Sequence, residues 1–91
     1  MNKGKIEVDE ELFKKVKSIA NKKRFVILWL TKNKEMSVIE LSNALVFAQT
    51  KCTTYVSQLH RLGLVTKRKE GRQVFVKGKI AFKPNSIVFG Q

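Results

Sequence analysis

The sequence is poor in cysteine, proline and acidic residues, and each shortage excludes a class of protein. Cys52 is the only cysteine, Pro84 the only proline, and seven acids stand against 19 bases in 91 residues. A single cysteine cannot form an internal disulfide, which excludes a disulfide-stapled secreted scaffold and suits a reducing compartment. Long hydrophobic runs are also missing, because the longest, residues 25–30, has six residues. A membrane-spanning helix needs about 20, so we expect none.

The start of the chain lacks the apolar segment of a signal peptide, because residues 1–5 are followed by an acidic stretch. We therefore expect a cytoplasmic, nucleoid-associated protein. Apolar residues make up 43% of the chain, which is typical of a folded domain and too many for a disordered basic tail. The length predicts one domain over residues 1–91, with a core at 9–77 and a C-terminal arm at 78–91. A chain this short has little room for a deep enzyme cleft.

The positive charge is what the sequence has in excess. The formal net charge is +12, and the bases cluster: eight lie in residues 14–34 with no acid, and nine in residues 51–83 with one acid. This excess favours an anionic partner, either nucleic acid or an acidic membrane surface, over a merely solvated lysine-rich surface. Glu10 and Glu11 begin the first helix and disfavour the membrane surface.

Capping signals and helical spacing predict four helices. Asp9 and Asn21 are suitable N-caps, Ser37 and Glu40 form a capping box, and Gly63 suits a helix C-terminus. Apolar spacing then sets the helices at residues 10–19, 22–32, 38–45 and 49–62. Met36 is expected to form a short strand before helix 3, and residues 46–48 a turn before helix 4.

Period-2 patterning of apolar and polar residues after Gly63 predicts a β-hairpin, with strands at 64–69 and 73–76 joined by a turn at 70–72. The apolar stretch 80–89 is interrupted by Pro84 and has no helical period, so it is expected to be a strand or an extended arm. The predicted fold is α+β and mainly α: a winged helix-turn-helix of four helices and a two-stranded wing.

Helix 4 has the composition of a helix that reads DNA bases. Cys52, Val56 and Leu59 repeat at i, i+4 and i+7 and would attach it to the core. The major groove of B-DNA admits one α-helix, where Gln can bind adenine bidentately and Thr can touch a thymine methyl group. The outward, uncharged face is predicted to contact bases through Gln49, Thr50, Thr53, Thr54 and Ser57.

Basic residues beside this face are predicted to bind the DNA backbone. Lys51 and Arg61 lie on helix 4 and would reach phosphates. The hairpin tip is suited to a minor groove or to flanking phosphates through Lys67, Arg68, Lys69 and Arg72. Together these residues predict double-stranded DNA as the partner.

The ordered set of segments resembles the ArsR/SmtB family of winged-helix repressors. Residues 19–28 (IANKKRFVIL) resemble the entry to the family's helix 2, and residues 36–45 (MSVIELSNAL) its helix 3 segment. Residues 49–65, ending LHRLGLV, are similar to the recognition helix and the step into the wing. The resemblance covers residues 19–76. It implies a symmetric dimer with recognition helices in successive major grooves, which represses by occlusion.

The sequence departs from the family at its metal sites. Ser37 and Ile39 stand where the arsenic sensors carry cysteines, the C-terminus has no histidine, and Ala48 replaces a small polar cap of helix 4. We therefore expect no metal, no cofactor and no small-molecule effector. Cys52 lies in the apolar series and is interpreted as a buried structural thiol rather than a redox sensor. It is eight residues from His60, too far along one helix for the two to share a metal without other ligands.

Surplus apolar residues predict a homodimer. Helix 1 and the C-terminal stretch hold more of them than one small core can absorb, and the predicted interface is Leu12, Phe13, Val16, Phe82 and Val88. Two alternatives to a sequence-specific regulator remain: a non-specific architectural DNA-binding protein, and a winged-helix module that binds an acidic protein. The acids of the rest of the chain are scattered and no nucleophile–base pair is available, so no enzyme activity is expected.

Overall fold

The computed structural model describes residues 7–46 and 49–90, which form four helices followed by two β-hairpins. The winged helix-turn-helix fold is confirmed. The elements in chain order are α1 (Glu10–Ile19), α2 (Lys22–Thr31), β1 (Met36–Ser37), α3 (Val38–Leu45), α4 (Gln49–Arg61), β2 (Val65–Glu70), β3 (Gln73–Gly78), β4 (Ile80–Lys83) and β5 (Ser86–Phe89). The predicted helix bounds are correct to within one residue.

The predicted caps begin the first three helices. The Asp9 carboxylate accepts from the Leu12 N–H at 3.1 Å, and the Asn21 side chain accepts from the Arg24 N–H at 3.1 Å. At α3 the Ser37 hydroxyl accepts from the Glu40 N–H (3.0 Å), while the Glu40 carboxylate accepts from the Ser37 N–H (2.9 Å). These bonds satisfy backbone donors that have no partner within the helix.

A residue in the left-handed backbone conformation follows each of α3 and α4. Gly63 has φ 75°, and the Leu64 N–H donates back to the Leu59 carbonyl at 3.0 Å, which is the Schellman arrangement. α3 ends at Leu45, and its C-cap residue, Val46, has φ 54°. A β-branched residue is strained there, and the Val46 side chain is 88% exposed. The rest of the predicted turn, Phe47 and Ala48, lies outside the described residues, as does the expectation about Ala48 as a cap.

The core lies between the helices and the first sheet. Ile27 and Leu28 of α2, Leu41 of α3 and Leu59 of α4 are fully buried. The predicted series on α4 is confirmed, because Cys52 and Val56 are buried with Leu59. The helices therefore pack around one apolar core. α4 contributes one face to this core, and its opposite face points outward.

The first sheet has the order β1-β3-β2 and is antiparallel. β2 and β3 form the wing, with Glu70 paired to Gln73 across a two-residue turn. Gly71 has φ 63° at the first central position, where type II′ turns require positive φ. At the other end, a Cβ on Gly78 would lie 3.1 Å from the Thr31 hydroxyl, so glycine permits the sheet's close approach to α2.

The C-terminal stretch differs from the prediction of one strand or an arm. It is a second hairpin, in which β4 pairs with β5 from Ile80↔Phe89 to Lys83↔Ser86. The turn is Pro84-Asn85, two residues whose chemistry favours turns, so the proline reverses the chain and does not merely interrupt a strand. Phe82 of β4 packs against Phe25 (5.1 Å between ring centroids) and Trp29 (5.5 Å), which attaches the hairpin to α2.

Candidate nucleic-acid interface

The outward face of α4 is uncharged apart from Lys51. Gln49, Thr50, Thr53 and Thr54 are exposed at its N-terminal end. The Thr54 hydroxyl donates to the Thr50 carbonyl at 3.0 Å. A hydroxyl has one proton and two acceptor lone pairs, so Thr54 keeps its acceptors and its methyl group for an outside partner.

The residues predicted on α4 divide between two directions. Gln49, Thr53 and Ser57, spaced four residues apart, line a cavity of about 190 Å³ between α4 and the wing. Thr50 and Thr54 do not line it. Lys67 and Arg72 of the wing form part of the same cavity wall. The structure thus brings three predicted base-contacting residues together with two predicted backbone-contacting ones.

The alternation of side chains along β2 places the basic residues of the wing on two opposite faces of the sheet. Lys67 and Lys69 are paired with Val76 and Val74 on one face of the sheet, and Arg68 is paired with Phe75 on the other. Lys67 and Val74 line the α4 cavity, so the lysine face is the one that adjoins α4. Within the described residues Lys67, Lys69 and Arg72 have no ion pair, and all three are exposed.

Arg68 is instead held by two carboxylates. It donates to Glu35 from Nη2 (2.7 Å) and Nε (3.1 Å) and to Glu70 from Nη1 (2.8 Å), and its guanidinium lies 4.7 Å from the Phe75 ring centroid. The hydrogen bonds from Arg68 lower the pKa of Glu35, and those to Glu35 and Glu70 raise the pKa of Arg68. Sequence reasoning missed Glu35, because its partner lies 33 residues away.

Arg61 and Lys51 lie on exposed positions of α4, separated by ten residues. Arg61 is at the C-terminal end and does not line the cavity beside the wing. Lys51 follows Thr50 directly and lies near the base-facing residues. The structure therefore groups Lys51 with the uncharged face and places Arg61 at a distance from it.

Known proteins share this fold. The transcriptional activator HlyU of Vibrio cholerae is 40% identical over 60 residues, which are 66% of this chain and 56% of that protein. The solved HlyU structure from V. cholerae has a TM-score of 0.73 and 35% identity, covering 76% of this chain and 75% of that one. No family model matches the chain. The chain belongs to the ArsR/SmtB family of winged-helix transcriptional regulators.

A further ArsR/SmtB-type neighbour supports the fold. Mb0332 from Mycobacterium bovis, described as a homodimeric winged helix-turn-helix DNA-binding domain of a possible ArsR-family regulator, has a TM-score of 0.71. Its sequence is 24% identical, and the match covers 81% of this chain and 74% of that one. The aligned region spans little more than half, 56%, of the curated HlyU sequence.

For an ArsR/SmtB member, the residues described here offer little for metal or thiol chemistry. They contain no group of three or more His, Cys, Asp or Glu side chains that could hold a metal. Cys52 is fully buried, and burial raises the pKa of its thiol, which keeps it protonated. His60 is exposed on α4. In residues 7–46 and 49–90, no helix combines the length and apolar character needed to cross a membrane.

The predicted interface residues lie at the end of the molecule formed by α1 and the second hairpin. Leu12 (46%), Phe13 (54%), Val16 (47%) and Val88 (46%) are exposed. Val16 of α1 and Ile87 of β5 line one wide groove of about 610 Å³. Phe82 is different, because it is half-buried against α2 and is already used within the chain.

Proposed function

We propose that the chain is a sequence-specific regulator that binds double-stranded DNA as a homodimer. One observation carries the proposal: uncharged side chains of α4 that are predicted to contact DNA bases line the same cavity as basic side chains of the wing that have no ion pair. A helix that enters the major groove needs side chains able to form hydrogen bonds without a fixed charge, and it needs cations beside them for the phosphates. We place the protein in the cytoplasm, associated with the nucleoid.

Base contacts are assigned to Gln49, Thr50, Thr53, Thr54 and Ser57. Gln49 and Thr50 lie in the first turn of α4, the part of a recognition helix that reaches base edges. Gln49 has the geometry to bind adenine N6 and N7, and Thr50 and Thr54 present methyl groups to thymine. Ser57 is half-buried and reaches a base only at the inner edge of the cavity.

Backbone contacts are assigned to Lys51, Arg61, Lys67, Lys69 and Arg72, which have no acidic partner in the described chain. Arg68 was predicted with them. Glu35 and Glu70 neutralise its charge and occupy three of its five N–H donors, so we assign it mainly to the support of the wing. Counterion release from these contacts supplies most of the sequence-independent affinity.

The homodimer is proposed to form through α1 and the second hairpin. Leu12, Phe13 and Val16 of α1 and Val88 of β5 are exposed apolar side chains that a second copy would cover. Phe82 lies on the opposite face of the hairpin from Val88 and attaches the hairpin to α2. Two-fold symmetry then places the two α4 helices in successive major grooves. Repression by occlusion of a promoter follows from such binding. The relative HlyU is described as an activator, so the position of the operator would decide the direction.

In vitro selection of bound duplexes tests this proposal. The expected result is a two-fold symmetric motif with half-sites about one helical turn, 34–36 Å, apart. Affinity should fall about 10³–10⁵-fold between 50 and 200 mM salt for about 6–10 phosphate contacts. Thr54→Ala should relax preference at one position of the motif. Equal binding of all duplexes would refute the specific regulator.

A non-specific architectural protein is the second candidate, favoured by the +12 charge, which extends well beyond α4 and the wing. It would show the same steep salt dependence, because that term comes from phosphates alone. It would return no motif from selection. The same experiment therefore separates the two functions.

A further inference from the structure

A second cluster of bases lies where α1, α2 and the C-terminal half of α4 meet. A groove of about 280 Å³ there is lined by Leu62 and by six polar side chains, those of Lys14, Lys17, Ser18, Arg24, Gln58 and Arg61. Each of the six polar side chains carries a hydrogen-bond donor. None of the residues described around the groove is Asp or Glu. The groove therefore combines positive charge with donors and lacks a competing carboxylate in its wall.

Arg24 is fixed in this groove before any ligand arrives. Its Nε donates to the Ser18 carbonyl at 2.8 Å and its Nη1 to the Gln58 side-chain oxygen at 2.7 Å. Its guanidinium carbon lies 5.9 Å from the Tyr55 ring centroid. Among the described residues, Nη2 has no acceptor. A guanidinium held through two of its nitrogens, with the third left without an acceptor, is preorganised to donate to an oxyanion.

Two further donors in the groove wall lack partners. The Gln58 oxygen accepts from Arg24, so the Gln58 amide N–H groups remain for another acceptor. Ser18 is only 6% exposed, and its hydroxyl has no hydrogen-bond partner in the described chain. Buried hydroxyls are nearly always paired, so an unpaired one in the wall of a basic groove is an independent indication of a missing acceptor.

We propose that this groove is an anion site that binds a phosphate group. Four basic side chains can neutralise a dianion, and several directional N–H donors suit the oxygens of a phosphate better than they suit a compact halide. Glu11 approaches Lys14 only at 3.8 Å between exposed side chains, which leaves the ammonium available. Nine residues separate Gln49 from Gln58, so the site lies about 13 Å along α4 from the base-reading end.

The phosphate can come from two sources, a backbone phosphate of duplex DNA or a free phosphorylated molecule. The chemistry of recognition is the same for both. The site does not rest on the proposed function, because a free anion could occupy it in a protein that bound no DNA. The experiment therefore titrates both sources separately.

The full chain, labelled with ¹⁵N, is titrated with inorganic phosphate against chloride at matched ionic strength. The expected result is a saturable shift of the Ser18 amide, the Gln58 side-chain amide and the Arg24 Nε signals. Lys17→Gln and Arg61→Gln should each weaken phosphate binding by about threefold or more. Lys34→Gln removes the same charge from an exposed position that does not line the groove, and should leave the affinity unchanged.

The second arm replaces phosphate with duplex DNA of random sequence. If duplex DNA shifts the same three signals, and added phosphate then moves them to their phosphate-bound positions, the ligand is a backbone phosphate. If duplex DNA leaves these signals unshifted and free phosphate still shifts them, the ligand is a free phosphorylated molecule. The proposal is overturned if neither ligand shifts them, if chloride shifts them equally, or if Lys17→Gln and Arg61→Gln behave like Lys34→Gln. Failure of duplex binding alone would count against the proposed function and not against the site.

Discussion

The wing β2–β3 and the C-terminal hairpin β4–β5 have the same plan and opposite surfaces. Each joins two antiparallel strands through two residues. The wing presents Lys67, Lys69 and Arg72, whereas the C-terminal hairpin exposes Ile87 on the face that it shares with Phe82 and Val88 on the opposite face. One surface suits a polyanion and the other an apolar partner, so the two hairpins of one chain are suited to two different binding tasks.

The hairpins also differ in what supports them. The wing belongs to a three-stranded sheet with β1 and is tied to Glu35 through Arg68. The C-terminal hairpin is a two-stranded sheet whose attachment includes Phe82 against Phe25 and Trp29. An isolated two-stranded hairpin is marginally stable in water. The second hairpin therefore depends on side-chain packing, whereas in the wing β3 is paired through its backbone with a strand on each side.

The largest expected effect comes from placing a charge on the apolar hairpin. Val88→Lys should convert the proposed dimer to a monomer, because it puts an ammonium into the contact between copies. Loss of the second half-site should lower affinity for a two-fold operator by about 10²–10⁴-fold. Sedimentation equilibrium and operator titration measure the two effects. Asn33→Lys adds the same charge at an exposed position and is the control; an unchanged dimer in Val88→Lys would remove this hairpin from the interface.

Removing the aromatic attachment should come next in size. Phe82→Ala should destabilise the fold by about 2 kcal/mol, less than the 3–5 typical of a buried phenylalanine because Phe82 is only half-buried. Urea denaturation measures it, with Phe82→Leu as the control that keeps most of the apolar volume. Hydrogen exchange should accelerate more in β4 and β5 than in β2, because local opening of the second hairpin adds to the loss of global stability. Equal acceleration in both hairpins would mean that their stabilities are coupled.

A smaller effect is expected from the tip of the wing. Arg72→Gln should weaken binding to every duplex by about fivefold at 0.15 M salt and reduce the salt slope by about 0.9, the value for one lost phosphate contact. Arg68→Gln removes the same charge from the opposite face of the sheet and should leave the slope nearly unchanged. Equal changes in slope would mean that Arg68 leaves its carboxylates to bind DNA.

The helices could be predicted from sequence because their signals are local. Asp9, Asn21 and the pair Ser37 and Glu40 each lie within a few residues of the backbone they cap. The second hairpin was missed because its strands have four residues each, too few for a period to show, and Pro84 was interpreted as a break. Its four-residue strands pair only with each other.

The candidate site could be predicted in composition but not in arrangement. The uncharged face of α4 followed from helical spacing, whereas the contacts of Arg68 with Glu35 and of Arg24 with Gln58 join residues 33 and 34 positions apart. Such pairs depend on how the elements pack, which no local pattern encodes. The alternation of strand residues alone is enough to predict that Arg68 lies on the opposite face of the wing from Lys67 and Lys69.

The smallest effect is expected from the pH dependence of the wing's support. Arg68 lowers the pKa of Glu35, so the folded state holds the charged carboxylate more strongly than the unfolded chain does. The contribution of Glu35 to stability is therefore complete above the ordinary Glu pKa of about 4.3 and is lost as the pH falls through the lowered value. The difference in unfolding midpoint between the unmodified chain and Glu35→Gln should be constant above about pH 5 and shrink below about pH 4. Glu7→Gln is the control, since Glu7 is exposed before α1 and far from Arg68 in sequence. A difference that does not change between pH 7 and pH 3 would show that Glu35 supports the wing without its charge.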